Sequence, residues 1–271
     1  MPTHFRSLWI SDTHFGGKNI QSERLFDFLK NTSSDYLYLV GDIFDFHCFA
    51  RKWYWPEINN RIVDLILERA GNGTQVYYIP GNHDAMLRNY VGTSFNNIRI
   101  RSQVIHVGAD GGKYLVLHGD VFDCVIQKSP WLARFGGFLY ERLLVLNRWY
   151  NALRKMCGKQ YFSISAYLKH KCKKAVNYIG DFEESLIDAI KENKVDGIVC
   201  GHIHHASIKM MGASLYSNSG DWVESCTALA ESESGTFGIV DWSESVPLTE
   251  PVDGRIYEKD SYRDRCLAPT N

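Results

Sequence analysis

The sequence predicts an α/β fold, and three observations lead there. Short apolar runs rich in β-branched and aromatic residues have strand length, helical patterns lie between the early ones, and each run ends in a polar cluster. In folds of this class the functional groups gather where the strands end, so the clusters are where chemistry is expected.

The first strand is expected over Ser7 to Ser11, running into Asp12. Ser22 is placed to cap a helix that continues through Lys30. Tyr36 to Val40 reads as the second strand and precedes Gly41-Asp42. Glu57 to Ala70 carries Ile58, Ile62, Leu65 and Ile66 at helical spacing. Val76 to Ile79 leads into Pro80-Gly81-Asn82-His83-Asp84, and Tyr114 to Leu117 leads into His118. The alternation is then interrupted. Residues from about Ser129 to Cys157 read as helical, with Trp131, Leu132, Phe135, Phe138, Leu139 and Leu146 spread over more than one side. A second helical stretch runs from about Ser163 to Asn193, with a break at Gly180. Gly197 to Cys200 is a last strand before Gly201-His202-Ile203-His204. The expected layout is one domain over 1–245 with a helical insertion at about 128–180, followed by a polar, loosely ordered tail over 246–271.

The chain has 271 residues, enough for one large domain with a sizeable core. Its hydrophobic fraction of 45% and charged fraction of 23% are ordinary for a soluble globular protein, and a net charge of -1 points to no particular partner. The seven cysteines are odd in number and form no C-x-x-C pair, which favours free thiols in a reducing cytosol; Cys200, inside an apolar run, reads as a core residue. The opening residues show no signal-peptide pattern, and no stretch approaches the roughly 18 apolar residues of a membrane span. Cytoplasmic location is therefore expected, with peripheral attachment to a membrane left open.

The polar clusters gain meaning together. Asp12-x-His14 offers a carboxylate and an imidazole, Gly41-Asp42 a carboxylate, Asn82-His83 an amide oxygen and an imidazole, and His118 with His202-x-His204 three further imidazoles. Alone, a D-x-H is common, Gly-Asp is more often a turn, and a single histidine is more often a satisfied core or surface residue. Five such clusters, each after a strand-like run, are an improbable coincidence. The donor types, carboxylate, imidazole and amide oxygen without thiolate, suit two divalent ions, Mn first, with Fe, Zn, Co or Ni as alternatives, better than Ca. A carboxylate can bridge two such cations, and a water shared by them loses a proton near neutral pH.

In these residues the chain resembles the calcineurin-like metallophosphoesterase superfamily. The pattern D-x-H, G-D-x-x-D, G-N-H-[DE], H and G-H-x-H stands here as Asp12-Thr13-His14, Gly41-Asp42-Ile43-Phe44-Asp45, Gly81-Asn82-His83-Asp84, His118 and Gly201-His202-Ile203-His204. The resemblance runs from about residue 7 to 221. It implies an αββα sandwich of two sheets flanked by helices, carrying a helical cap insertion, and a phosphoric ester or anhydride hydrolase. It further implies that Asp12, His14, Asp42 and His204 hold one metal, that Asp42, Asn82, His118 and His202 hold the other, and that Asp42 bridges. His83 is then catalytic, acting on the transferring group or the leaving oxygen, and Asp45 orients it. Asp84 is either a carboxylate behind the ligands or an N-terminal helix carboxylate.

Within that superfamily the chain looks like the bacterial UDP-2,3-diacylglucosamine diphosphatase group of lipid A biosynthesis. The short strand into SDTH, YLVGDIFD, HGDVFD and the helical insertion carry this likeness, which implies cleavage of a nucleotide-lipid pyrophosphate to UMP and a lipid monophosphate. The best-known members of that group carry arginine where this chain has His83, so a sister branch with another substrate stays open. Charge distribution bears on the same question. Between Lys128 and Lys174 the only acidic residue is Glu141, against eleven lysines and arginines interleaved with large apolar residues. Such a stretch suits an anionic lipid or a membrane surface, although a core helix pair with a solvated basic face is the plainer alternative. Phe135 and Phe138 are expected to line an acyl slot, and Arg51 and Lys52 either to reach the phosphates or to serve only as surface residues. Trp53, Tyr54 and Trp55 either line the opening or pack beneath it, and packing is the favoured reading. Other readings are a soluble phosphodiesterase or phosphatase on another phosphoester and a non-catalytic scaffold of the same fold. No nucleic acid partner is expected, since the aromatic and aliphatic density does not resemble a phosphate-tracking groove.

Overall fold

Strand β1 (Thr3–Ile10) pairs in parallel with β2 (Thr32–Val40), and β2 in parallel with β3 (Gln75–Ile79). These three form the middle of an eight-stranded sheet in this computed structural model, which describes residues 2–122 and 185–243 and the backbone of 256–257. The sheet continues on one side through β5 (Ile98–Ile100) to β4 (Ser94–Phe95). On the other side, β11 (Thr227–Glu231) lies antiparallel to β1, followed by β12 (Phe237–Asp241) and β13 (Ile256–Tyr257). A second sheet has the order β6 (Val104–Val107), β7 (Lys113–Val116), β8 (Gly197–Cys200), β10 (Ser214–Asn218), β9 (Ser207–Met211), with β7, β8 and β10 parallel. The chain divides into two compact units, Met1–Asp120 with Ile190–Asn271, and Val121–Ala189.

The central strands are buried on both faces, as parallel strands between layers must be. In β2, Leu37 and Leu39 face a helical layer, while Tyr38 and Val40 face the second sheet. Helices α1 (Ser22–Asn31) and α3 (Glu57–Gly71) form that layer. In α3 the residues Ile62, Ile66 and Ala70 recur every four positions and are buried, with Glu57 in the first turn and Arg69 in the last to complement the helix dipole. Burying side chains such as Leu37 and Ile62 is worth roughly 1.5–3 kcal/mol apiece. A short helix, α2 (Phe46–Arg51), lies between β2 and α3, and a fourth, α4, is helical over 185–193.

The two sheets meet over Trp9, Tyr38, Ile79, Tyr114, Val199, Phe237 and Ile239. A fully buried carboxylate lies between them. Glu231 accepts hydrogen bonds from Arg6 (2.8 Å), the Ser7 hydroxyl (2.7 Å) and the Ala109 backbone N–H (2.8 Å), and the His106 ring lies 2.9 Å away. Burial works against the charge, but His106 and the other donors hold the Glu231 carboxyl down at about 2.

The observed strands begin earlier than the apolar runs alone mark, since β1 starts at Thr3 and β2 at Thr32. Ser22 is not a cap: Gln21 holds the N-cap position, and the buried Ser22 hydroxyl instead donates to Asn59 Oδ1 at 2.7 Å, tying α1 to α3. The helical insertion expected at about 128–180, with Phe135 and Phe138, lies outside the described residues, as does most of the 246–271 tail. Within that tail, Ile256 and Tyr257 add an edge strand against Val240 and Ile239.

Candidate metal centre

Every proposed ligand follows a strand end by a few residues. Asp12 comes two residues after β1, Asp42 two after β2, Asn82 three after β3, His118 two after β7 and His202 two after β8. Parallel pairing of β1–β2–β3 and of β7–β8 delivers these ends to the same side of each sheet.

The described residues hold two ligand groups of the expected make-up. Asp12, His14 and His204 offer donor atoms within 4.8 Å of one another, and so do Asp42, His118 and His202. Asp42 joins the groups: its Oδ2 lies 3.4 Å from His118 Nε2 and 3.8 Å from His14 Nε2. His204 Nε2 is 3.2 Å from Asp12 Oδ1 and 3.4 Å from His14 Nε2. Asn82 Oδ1 is buried and makes no hydrogen bond, and the buried Asp12 Oδ1 and His118 Nε2 meet only His204 Nε2 at 3.2 Å and Asp42 Oδ2 at 3.4 Å, without hydrogen-bond geometry. Buried polar atoms are ordinarily paired, so three such atoms at one place are donors awaiting an acceptor. The donor set and the orphaned atoms together fit two divalent cations, with Asp42 between them.

The remaining atoms of the ligands lock the site. Asp12 Oδ2 accepts the His202 backbone N–H at 2.9 Å, and Asp42 Oδ1 accepts the His83 backbone N–H at 2.7 Å. His118 Nδ1 lies 2.9 Å from the Val40 carbonyl, which keeps a proton on Nδ1, so that once the ring is neutral Nε2 is the electron-pair donor. Asp84 accepts from the Ile43 N–H at 2.9 Å, from the Gly81 N–H and from the Tyr78 hydroxyl. It therefore ties the Asp42 loop to the Asn82 loop and caps no helix, because the 3₁₀ turn that follows has no side-chain cap.

The backbone carries the strain of this arrangement. Among the described residues nine non-glycine positions have positive φ, and five of them are Asp12, His14, Asp42, His202 and His204. Left-handed backbone at such residues is unfavourable and marks sites where the surrounding structure dictates conformation. Here the hydrogen bonds from Asp12 N to Gly41 O (3.0 Å) and from His14 N to Asp42 O (2.9 Å) dictate it. The glycines of the motifs give the ligands room. A Cβ on Gly81 would strike Asp42 Oδ1 and the His118 ring, and one on Gly201 would strike Asp12 Oδ2 and Ser11.

Burial opposes charge on Asp12, His14, Asp42 and His118, and the neighbouring opposite charges overcome it. His118 is pushed up to about 10 by Asp42 and Asp12, and His14 to about 9 by Asp45, Asp42 and Asp12. In return the imidazoles hold Asp42 well below its usual value and Asp12 down at about 2. The metal-free cluster is therefore an interleaved set of carboxylates and imidazolium rings, its negative charge neutralised by protons that a cation can replace.

Asp45 does more than orient His83. Its Oδ2 lies 3.2 Å from His83 Nδ1 and 3.5 Å from His14 Nδ1, while Oδ1 accepts the Cys48 N–H at 2.8 Å and so caps α2. Burial again opposes the charge, and the two histidines hold this carboxyl far below its usual range. The His14 link was not legible beforehand, because spacing does not show which imidazoles a carboxylate reaches. Asn218 also went unremarked: its amide donates to the Gly201 carbonyl at 2.6 Å and its Oδ1 accepts the Gly220 N–H at 3.0 Å, which shapes the loop bearing His202 and His204. The polar run Ser217 to Asp221 after a strand-like segment is the signal that marks it.

Arg51 closes α2 and Lys52 follows it, both exposed. Trp53 does not pack beneath anything: it is 70% exposed and rests on Phe49 with ring centroids 4.7 Å apart. Trp55 does pack, against Phe15 and Phe44, because it lies over the loops that follow His14 and Asp42. Among the described residues no helix is long and apolar enough to cross a membrane.

Residues 5–206 match the family model described as Calcineurin-like phosphoesterase, well over half of the chain. A UDP-2,3-diacylglucosamine hydrolase from Wigglesworthia glossinidia brevipalpis is 26% identical over 223 residues, covering 76% of this chain and 82% of its own. A protein of the same name from Vibrio atlanticus is 25% identical over 236 residues, covering 80% and 89%. Among solved structures, Vacuolar Protein Sorting 29 from Cryptosporidium parvum superposes with a TM-score of 0.40 at 14% identity, covering 87% of this chain and 90% of its own.

Proposed function

The chain belongs to the calcineurin-like phosphoesterase family and is a hydrolase of phosphoester or phosphoanhydride bonds, and on that premise we propose that it cleaves the diphosphate of a UDP-2,3-diacylglucosamine-type nucleotide-lipid, releasing UMP and a lipid monophosphate. The observation that carries the hydrolytic reading is the Asp42 carboxylate set between His14 and His118, one from each ligand group. The diphosphate and the lipid are supported by curated relatives of that name, which align over most of both chains.

In this reading Asp12, His14, Asp42 and His204 hold one divalent ion and Asp42, Asn82, His118 and His202 the other, with manganese as the proposed metal. Bound there, the ions supply Lewis acidity and an activated water. The chain's own residues do the rest. His83 has its backbone N–H anchored on Asp42 and its Nδ1 turned to Asp45, so its Nε2 is the ring nitrogen left for the phosphoryl oxygen or the leaving oxygen. The side chain of His83 is 34% exposed, which keeps it accessible to substrate. Arg51 and Lys52 add positive charge for the phosphates. The basic, aromatic-rich stretch between Lys128 and Lys174 is proposed to meet the acyl chains, through Phe135 and Phe138, and the anionic surface of the inner membrane from the cytoplasmic side.

Purified protein loaded with Mn²⁺ and given UDP-2,3-diacylglucosamine in detergent should release UMP and the lipid monophosphate, both read by mass spectrometry. Brisk turnover of bis-p-nitrophenyl phosphate without any release from the lipid would overturn the lipid assignment in favour of a phosphodiesterase or phosphatase with another substrate.

A further inference from the structure

The imidazole of His47 lies against that of His83, with ring centroids 5.2 Å apart and planes inclined at 47°. His83 in turn stands 4.6 Å, ring to ring, from His14, so three imidazoles lead outward from the metal centre. His47 sits on α2 two residues after Asp45, and Asp45 both caps that helix and holds His83. One carboxylate thus fixes the distance between the two rings. Packing does not call for a histidine here: His47 is exposed, whereas Phe46 and Phe49 on the same helix make the aromatic contacts to Phe44 and Trp55. Arg51, four residues on, shares the face of α2 that carries His47.

We propose that His47 is a specificity residue that donates a ring N–H to the second phosphate of a diphosphate substrate, next to His83 on the first. This rests on the reading that the centre cleaves a diphosphate. The two phosphorus atoms of a diphosphate are joined through one oxygen. A group that binds the second must stand directly outside the group that meets the first, and His47 stands so beside His83. A neutral imidazole has an N–H to give, and a hydrogen bond to a charged phosphate oxygen is stronger than one between neutral groups. An ester with a single phosphorus places an alkyl or aryl group there, with no phosphate oxygen to accept the N–H. His47 thereby separates diphosphates from simple phosphodiesters at a centre whose metal ligands serve both.

The test compares wild type, His47→Ala and His47→Gln as metal-loaded full-length protein. Each is assayed on UDP-2,3-diacylglucosamine and on bis-p-nitrophenyl phosphate, with UDP and UMP as competing inhibitors of the second reaction. In His47→Ala the ratio of kcat/KM for the diphosphate to that for the single-phosphate diester should fall on the order of 10- to 100-fold, as expected for a lost hydrogen bond to a charged group. The preference for UDP over UMP as inhibitor should fall with it, and His47→Gln, which keeps an N–H donor, should restore part of both. An equal loss on the two substrates, or an unchanged preference for UDP, overturns the assignment of His47 while leaving the diphosphate reading in place. A wild-type protein that hydrolyses the diester and no diphosphate overturns both.

Discussion

Metal uptake by the ion-free protein should release protons, and the site sets how many. His14 is raised to about 9 and His118 to about 10, so near neutral pH both rings are protonated until a cation arrives. A cation binds only the neutral imidazole. The carboxylates do not compete, because Asp12 is held at about 2 and Asp42 well below its usual value. Filling both sites therefore expels about two protons from these two rings. The direction follows: acid adds a competitor, so the apparent association constant rises with pH. On a logarithmic scale it climbs by about two per pH unit near neutrality and flattens in the alkaline range where the two rings lose their protons. The ion-free protein behaves in the opposite sense. A histidine raised on folding stabilises fully below its unfolded value of 6.5 and loses that contribution as pH rises through 9 and 10, so alkali should loosen the ion-free fold. Isothermal titration calorimetry of chelator-treated protein with manganese chloride, run in two buffers of different ionisation enthalpy, counts the protons directly. Asp45→Asn removes the negative charge from the hydrogen-bond partner that leads the rise of His14 and should move the count toward one. A count near zero, or an affinity indifferent to pH below about 8.5, would refute the claim that protons occupy the ligand positions in the absence of metal.

Four further outcomes are expected. Gly201→Ala should push Asp12 out of place, since the added Cβ would come 2.5 Å from Asp12 Oδ2 with buried Ser11 behind it, and bound metal measured by plasma mass spectrometry should drop below two ions per chain; full occupancy would mean the close approach imposes nothing. Glu231→Ala leaves Arg6, Ser7, His106 and the Ala109 N–H around an emptied position, so unfolding in urea should show a loss of about 3–5 kcal/mol with metal content retained. Asp84→Ala strips the acceptor from Ile43 N, Gly81 N and the Tyr78 hydroxyl at about 1–3 kcal/mol each, less if water enters, and activity should fall further than Tm alone would account for. Phe135→Ser with Phe138→Ser should reduce turnover of the lipid substrate far more than that of bis-p-nitrophenyl phosphate, and equal losses would remove the acyl-slot proposal.

The ligands were legible because two signals coincide at each. An apolar run of strand length says where a strand stops, and a polar cluster straight after it says what the stop presents. That suffices to find Asp12, Asp42 and His118, and the glycines before Asp42, Asn82 and His202 strengthen it. The interlocking was not legible. That Asp12 Oδ2 holds the His202 loop and that Asp84 ties two loops together depend on pairings across roughly 40 to 190 residues of chain, which no local pattern encodes. Edge strands such as β4 and β9 are short or half-exposed and lack a clear apolar period, so they escape a reading based on apolar runs. Ser22 shows the converse failure: a residue type favoured at caps is used instead for a buried bond to Asn59, because α3 lies where that hydroxyl can reach it.

Five ligands in left-handed backbone raise a physical question, since each such residue costs roughly 1–2 kcal/mol. The cost is tolerable only if the loops cannot relax, and the contacts around them explain why they cannot. The 12–15 segment is bonded to the 41–43 segment through Asp12 N, His14 N and Phe15 N, the Gly201 N–H is bonded to the His118 carbonyl, and each bonded partner is itself the continuation of a central buried strand. Relaxing one ligand therefore means breaking register in the sheet behind it. The charge pattern acts in the same direction, since protons on His14 and His118 keep the carboxylates from driving the cluster apart before metal arrives. A site held by its own sheets and neutralised by removable protons needs no refolding to accept two cations. Asp42 is then already in position between them, and the reorganisation that a flexible site would undergo on binding has been met in advance by the stability of the fold.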